Sequence, residues 1–251
     1  MKFKNLAYLL LAFCTTTTFA ACNELDGDNS DFDFGHSAGA AENPYKDGYG
    51  RLPNSIRLAT YNTHRCEGWE TQTNVDRANY NNTAKVISLI DPDVIALQEL
   101  DKFTTWHPHD QLQELADRTG MKPYYCKTID YRGGDYGIGI LSKREPLRTV
   151  SGDLPGTEAR KFFLAEFDDY IFIATHLCHL ETTNRAQSVE IISTSSNTFM
   201  NTATPKRIDY IVLYKGNKAA CEVLGTAVPS YDEINVNKVS DHLPVLVDIK
   251  K

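Results

Sequence analysis

Along residues 56–61 apolar and polar side chains alternate (Ile56-Arg57-Leu58-Ala59-Thr60-Tyr61), the period of a half-buried strand. From residue 76 the period lengthens. Ala84, Ile87 and Ile90 share one helical face, so a helix is expected over 76–90, broken by Asp91-Pro92-Asp93. Val94-Ile95-Ala96-Leu97 is an uninterrupted apolar run of strand length, as in a strand covered on both faces. A second helix is expected over 110–119, with Leu112, Leu115 and Ala116 inward and Gly120 as its stop. Strands are then expected over 124–128, 137–141, 162–167 and 171–175, a third helix over 181–192, and further strands over 208–213, 221–224 and 245–249. Helices interspersed among many hairpin-linked strands predict sheets packed on each other with helices outside.

The first residues follow a different pattern. Lys2 and Lys4 precede an apolar stretch, Leu6 to Phe13, too short to span a bilayer, and Phe19-Ala20-Ala21-Cys22 resembles a bacterial lipobox. Residues 1–21 are therefore expected to be a lipoprotein signal peptide with Cys22 acylated. The alternative is ordinary signal cleavage after Ala20. The protein is then exported and held at the outer membrane or cell surface by the lipid, or is periplasmic or secreted without it. Residues 22–53 are rich in Asp, Glu and Gly, without sustained apolar period, and are expected to be an acidic flexible tether to a domain over 54–251.

Composition is that of one globular domain, 41% hydrophobic and 24% charged, with net charge −7. Residues 1–21 hold two lysines and no acid, so their removal makes the chain more acidic still. An acidic surface lacks the long-range attraction for nucleic acid, so no stable nucleic-acid complex is expected, and the protein is taken as a monomer. Of the six cysteines, Cys66, Cys126, Cys178 and Cys221 lie in the domain at irregular spacing, which suits disulfides or buried thiols.

The chemistry lies in short polar interruptions of the strands. Thr60-Tyr61-Asn62, Leu97-Gln98-Glu99, Thr175-His176-Leu177, Arg207-Ile208-Asp209-Tyr210 and Ser240-Asp241-His242 each set an acid, amide or imidazole at or near the end of an apolar run. Polar groups gathered at strand ends from remote segments are what a metal-assisted phosphoester hydrolase needs. Taken singly, each has a plainer reading. Glu99 could be a solvated residue leaving the core, Asn62 a turn residue, His176 a strand-end cap, and Tyr136 part of an ordinary hairpin after Arg132-Gly133-Gly134-Asp135. His64, His107 and His109 read as exposed loop histidines.

Together with Tyr136-Gly137-Ile138-Gly139-Ile140-Leu141-Ser142, these motifs resemble, in order and spacing, the endonuclease/exonuclease/phosphatase superfamily with its deoxyribonuclease-I-like fold. The resemblance covers residues 56–251 and implies an α+β, four-layer αββα sandwich with its site at one edge of two sheets. It implies Mg²⁺, with Mn²⁺ as a substitute, held by Glu99 with Asn62 and Asp241. It further implies that His176 donates to a non-bridging phosphate oxygen and that Tyr136 touches substrate. His242, oriented by Asp209, would act as general base or phosphate contact. The superfamily handles nucleic acids, lipid headgroups, and inositol and sugar phosphates, and a fold does not choose among them.

One segment departs from the pattern. The family carries a strand ending in Gly-Asp-x-Asn before Arg-Ile-Asp-Tyr, whose Asp and Asn contact the attacking water, the metal or the leaving oxygen. Here only residues 193–206 separate Ile192 from Arg207, and they contain no acid. The domain is thus expected to be shortened near 192–193 and to lack one core strand, or to fill its place with residues 194–199. Activity is expected to be reduced or absent, and a non-catalytic surface protein that keeps the fold is the alternative.

Overall fold

The computed structural model describes residues 9–15, 44–45, 48–68, 78–177, 189–191, 193, 196–199, 208–214 and 222–251. Its strands are β1 (Leu9–Thr15), β2 (Ser55–Asn62), β3 (Val94–Lys102), β4 (Lys122–Tyr131), β5 (Gly134–Ser142), β6 (Arg148–Leu154), β7 (Arg160–Glu166), β8 (Ile171–Leu177), β9 (Val189–Ile191), β10 (Asp209–Tyr214), β11 (Val223–Ala227) and β12 (Val245–Lys250). Its helices are α1 (Tyr80–Ile90) and α2 (Gln111–Thr119).

The strands form two six-stranded sheets, ordered β11-β12-β2-β3-β5-β4 and β6-β7-β8-β1-β10-β9. Leu58, Val94 and Ala96 of the first sheet share a core with Phe172, Ala174 and Ile211 of the second. The alternate residues Ala59, Tyr61, Ile95 and Leu97 pack instead with Ile87 and Ile90 of α1 and Leu112 and Leu115 of α2. β2 and β3 are therefore covered on both faces, which is why their apolar runs are nearly continuous. Both helices start on side-chain caps: Asn79 accepts from the amide of Asn82, and Asp110 from that of Gln113. They end on left-handed residues, Asp91 and Gly120. Residues 189–191 form β9 beside β10 rather than the end of the expected helix; residues 181–188 lie outside the described residues.

The second sheet does not lack a strand. β1 lies between β8 and β10, parallel to the first and antiparallel to the second. The backbone of Leu9–Thr15 thus fills the place the shortened segment leaves open, and residues 196–199 do not. Phe199 makes only an isolated bridge to His242. The physical reason is simple: an apolar segment without charge can join an interior ladder, and two facing strands with unpaired amides and carbonyls provide the template. Residues 9–15 thus belong both to the expected signal peptide and to the second sheet.

Part of the expected tether packs on the domain, and residues 22–43 lie outside the described residues. Tyr45 is buried and donates to Asp248 Oδ2 at 3.0 Å. Arg51 pairs with Asp93, and Gly50 accepts from Arg57. Buried Arg57 is the hub. Its Nε and Nη2 grip Asp248 at 2.8 and 2.7 Å, and its remaining donors reach the carbonyls of Tyr49, Gly50 and Ile90. Asp248→Asn leaves this guanidinium buried without its countercharge. A loss of about 3–5 kcal/mol is expected, read by urea unfolding. An unchanged midpoint would mean that the pair carries no net weight.

Candidate active site

β2 and β3 run parallel, with Asn62 beside Gln98. A β-bulge follows: Leu97 pairs with Gly139 and Leu100 with Gly137, so Gln98 and Glu99 together face Ile138. Glu99 takes φ 59°, left-handed for a side-chain residue, and the bulge turns its carboxylate out of the strand's alternation. β3 continues to Lys102, so Glu99 lies within a strand and not at its end, as first expected. Gln98 locks the bulge by donating to Thr60 Oγ1 at 3.1 Å and accepting from the Thr63 amide at 3.1 Å.

Asn62 Nδ2 donates to Glu99 Oε1 at 2.9 Å and also lies 3.3 Å from His242 Nε2. Its Oδ1 accepts from the His64 amide at 3.0 Å. These contacts fix the amide orientation and turn its oxygen away from Glu99. Asn62 as arranged orients Glu99. His242 Nδ1 lies 2.9 Å from Asp209 Oδ2. Ser240 Oγ bonds the carbonyl of Asn62 at 2.8 Å and accepts the His242 amide at 3.1 Å, tying the loop before β12 to the end of β2.

Thr198 and Phe199, in the segment that contains no acid, frame this dyad. Thr198 Oγ1 accepts the amides of Ile208 and Asp209, its carbonyl accepts that of Leu243, and the Phe199 ring packs 4.9 Å from the His242 ring. Asn197 is exposed, and Asn201 lies outside the described residues.

His176, at the end of β8, is nearly fully buried, with Nε2 3.9 Å from Glu99 Oε1. Arg160 on β7 donates to its Nδ1 at 3.0 Å and to Glu158 at 3.0 Å. Nδ1 is thus an acceptor and the ring proton sits on Nε2, a buried donor without a partner. Burial first, then the Arg160 charge, lowers the His176 pKa to about 4. Arg160 was not anticipated; only its place on the strand beside β8 gives it away. Tyr136 lies on β5 opposite Asp101 and stacks at 5.7 Å on Tyr131; burial, then the charge of Glu99, pushes its phenol well up. Arg132 turns instead onto Trp106, 3.3 Å from the ring centroid.

The structure therefore brings together Asn62, Glu99, His176, Asp209 and His242, with Tyr136 alongside. Asp241 lies at the margin, with Oδ1 3.5 Å from Ser240 Oγ and 3.9 Å from His64 Nδ1. His64 is partly buried and His107 wholly so, not exposed as expected, whereas His109 is exposed. Cys66 and Cys126 are buried free thiols; Cys22, Cys178 and Cys221 lie outside the described residues.

Two charges set the electrostatics. Burial opposes the Glu99 carboxylate, but His176, His64, Arg65 and the Asn62 bond outweigh it and lower its pKa to about 2. Burial likewise opposes the His242 imidazolium, yet Asp209 raises its pKa to about 9. The Asn62 Nδ2 contact suits the neutral ring, whose Nε2 accepts, while below about 9 the protonated ring dominates. These are two states of one dyad. Because the folded pKa exceeds the ordinary 6.5, His242 stabilises the fold fully below about 6.5 and loses that contribution as pH rises through about 9. His176 acts oppositely, its depressed pKa costing stability as pH falls from 6.5 through about 4. Thermal melts should show a maximum near the ordinary histidine range. His242→Gln should flatten the alkaline limb; an unaltered limb would refute the assignment.

Among the described residues no cluster of three His, Cys, Asp or Glu groups is arranged to hold a metal. A carboxylate such as Glu99 suits a hard divalent cation, which takes one or two carboxylates and keeps its waters. Glu99 is ionised and slightly exposed, and the nearest cation to its Oε2 is Arg65 at 3.7 Å.

Residues 59–195 match the family model described as Endonuclease/Exonuclease/phosphatase family. The chain belongs to this family. Its α+β fold is the deoxyribonuclease-I-like sandwich, of which α1, α2 and the two sheets are described. A search of curated proteins found no match. Solved structures show the same fold. An endonuclease/exonuclease/phosphatase from Beutenbergia cavernae is 16% identical over 78% of this chain and 72% of its own, with a TM-score of 0.59. ANGEL2, a 2',3'-cyclic phosphatase in complex with adenosine-2',3'-vanadate, is 11% identical over 83% and 97%, with a TM-score of 0.52. The 3' phosphatase NExo from Neisseria, bound to a product DNA hairpin, is 12% identical over 78% and 100%, with a TM-score of 0.50.

Proposed function

We propose that this family member is an exported, magnesium-dependent phosphoester hydrolase of low activity. The observation that carries the reading is the contact chain Glu99–Asn62–His242–Asp209, built from β2, β3, β10 and the loop before β12. Glu99 holds the cation, Mg²⁺ or Mn²⁺, which when bound supplies Lewis-acid polarisation of the phosphate. The His176 Nε2–H donates to a non-bridging oxygen, held in that tautomer by Arg160. Neutral His242 takes the proton of the attacking water at Nε2, and Asp209 stabilises the imidazolium that forms. The water oxygen bonds to phosphorus in line as the phosphorus–leaving-oxygen bond breaks and its electron pair departs.

His242 is the base proposed for this site, because residues 193–206 contain no acid. The site end of β1 reads Phe13-Cys14-Thr15, and its Cys14 backbone lies between those of His176 and Asp209. Turnover should therefore rise with pH toward about 9, over the window in which the fold weakens. The test is hydrolysis of bis(p-nitrophenyl) phosphate with Mg²⁺ or chelator. Turnover that needs the metal supports the reading.

The same missing acid favours a second reading, a surface protein that keeps the fold as a binding scaffold. A cooperative melt with no turnover of any phosphodiester or monoester would select it. Lys2, Lys4 and the apolar run to Phe13 support export of the chain with residues 1–21 retained, and cleavage to a lipid anchor at Cys22 is the competing fate of the same segment. The acidic net charge of −7 supports a small phosphoester rather than long nucleic acid.

A further inference from the structure

Beyond β2 the chain turns through His64, Arg65 and Cys66 with φ of 46°, 57° and 56°, a left-handed run without glycine. Such a run is strained, and surrounding contacts must impose it. They are present. Asn62 Oδ1 takes the His64 amide, Gln111 Nε2 donates to the Arg65 carbonyl at 2.7 Å, and the Asn79 amide to that of Cys66 at 2.8 Å. The turn delivers the Arg65 guanidinium to Glu99, with Nη1 3.7 Å from Oε2, while Nη2 lies 3.6 Å from Glu67 Oε2.

Neither separation is a hydrogen bond, and the buried Arg65 Nε has no partner. A structural pair in the same protein looks different: Arg57 closes on Asp248 at 2.7 and 2.8 Å with every donor used. Arg65 Nη2 donates to His64 Nε2 at 3.1 Å, so the guanidinium is held short of both carboxylates with its Nε unused.

We propose that Arg65 is a catalytic residue that grips a non-bridging oxygen of the substrate phosphate, a deepening of the hydrolase reading on which it rests. A planar guanidinium matches two phosphate oxygens, and it faces the group that carries the cation. Glu67, His107 and Asp101 are its positioning residues. His107 is 0% exposed, with Nδ1 2.7 Å from Asp101 Oδ2 and Nε2 3.1 Å from Glu67 Oε1. Thr104 Oγ1 fixes Asp101 at 2.9 Å. One oxygen of Glu67 faces the His107 ring at 3.1 Å, and the other faces Arg65 at 3.6 Å.

The test measures binding of inorganic phosphate by calorimetry with Mg²⁺ present, and hydrolysis of bis(p-nitrophenyl) phosphate, on the full chain. Arg65→Met should weaken phosphate about 10- to 100-fold and lower kcat/KM at least as much, with Arg65→Lys intermediate. His107→Asn should reproduce a smaller part of both losses. If Arg65→Met melts early, Arg65→Lys, which keeps the charge and most of the stem, carries the comparison. Should the native chain bind phosphate and both variants bind it equally well, Arg65 has no such role and the hydrolase reading stands. Should the folded native chain neither bind nor hydrolyse, the hydrolase reading fails and the Arg65 role with it.

Discussion

A chain that begins at residue 22 should lose its cooperative unfolding transition or melt far below the full-length chain. β1 supplies the inner rung of the second sheet, paired from Leu9 to Thr15 with β8 and from Leu10 to Cys14 with β10. Its removal leaves two facing strand edges with unmatched amides and carbonyls. Each net backbone hydrogen bond contributes about 0.5–1.5 kcal/mol, so the loss is of the order of a domain's whole stability, roughly 5–15 kcal/mol. The damage reaches the site, because His176 and Asp209 both sit opposite the Cys14 backbone. Circular dichroism melts of the two chains decide it. In the full-length chain, amides of residues 10–14 should also exchange as slowly as those of β8. Equal melting temperatures would show that the second sheet stands without these residues. In that event signal removal and a stable fold are compatible after all.

His242→Ala should lower metal-dependent hydrolysis by roughly 10²–10⁴-fold, the usual loss on removal of a general base. Asp209→Asn should lower it by a comparable amount and shift the rise with pH to lower values, because the carboxylate 2.9 Å from Nδ1 is what raises the ring to about 9. The second variant separates the roles. A purely structural Asp209 would cut the rate without moving the pH profile. A rate untouched by His242→Ala would remove the dyad from the reaction.

Strand alternation places β2 and β12 within a residue and the apolar run at 94–97 marks the start of β3, which continues to Lys102, because burial on both faces leaves so direct a mark. The motifs likewise announce Glu99, His176, Asp209 and His242, since each interrupts an apolar run. What stays hidden in the sequence depends on long-range geometry. The bulge at Glu99 is a mismatch between two strands, invisible in either alone. His107 looks like a loop histidine until Asp101 and Glu67 close on it from separate segments. Arg160 is one basic residue among many until β7 sets it beside His176. The role of Leu9–Thr15 was obscured for another reason: seven apolar and small residues suit an export signal and an interior strand equally well.

The central claim is a divalent cation at Glu99 beside the Asp209–His242 dyad, and titration of the full-length chain with Mn²⁺, read by electron paramagnetic resonance, addresses it without requiring turnover. One Mn²⁺ per chain, displaced by excess Mg²⁺ and absent in a folded Glu99→Gln variant, is the expected result. Equal Mn²⁺ binding by the native chain and Glu99→Gln, or none by either, would contradict it.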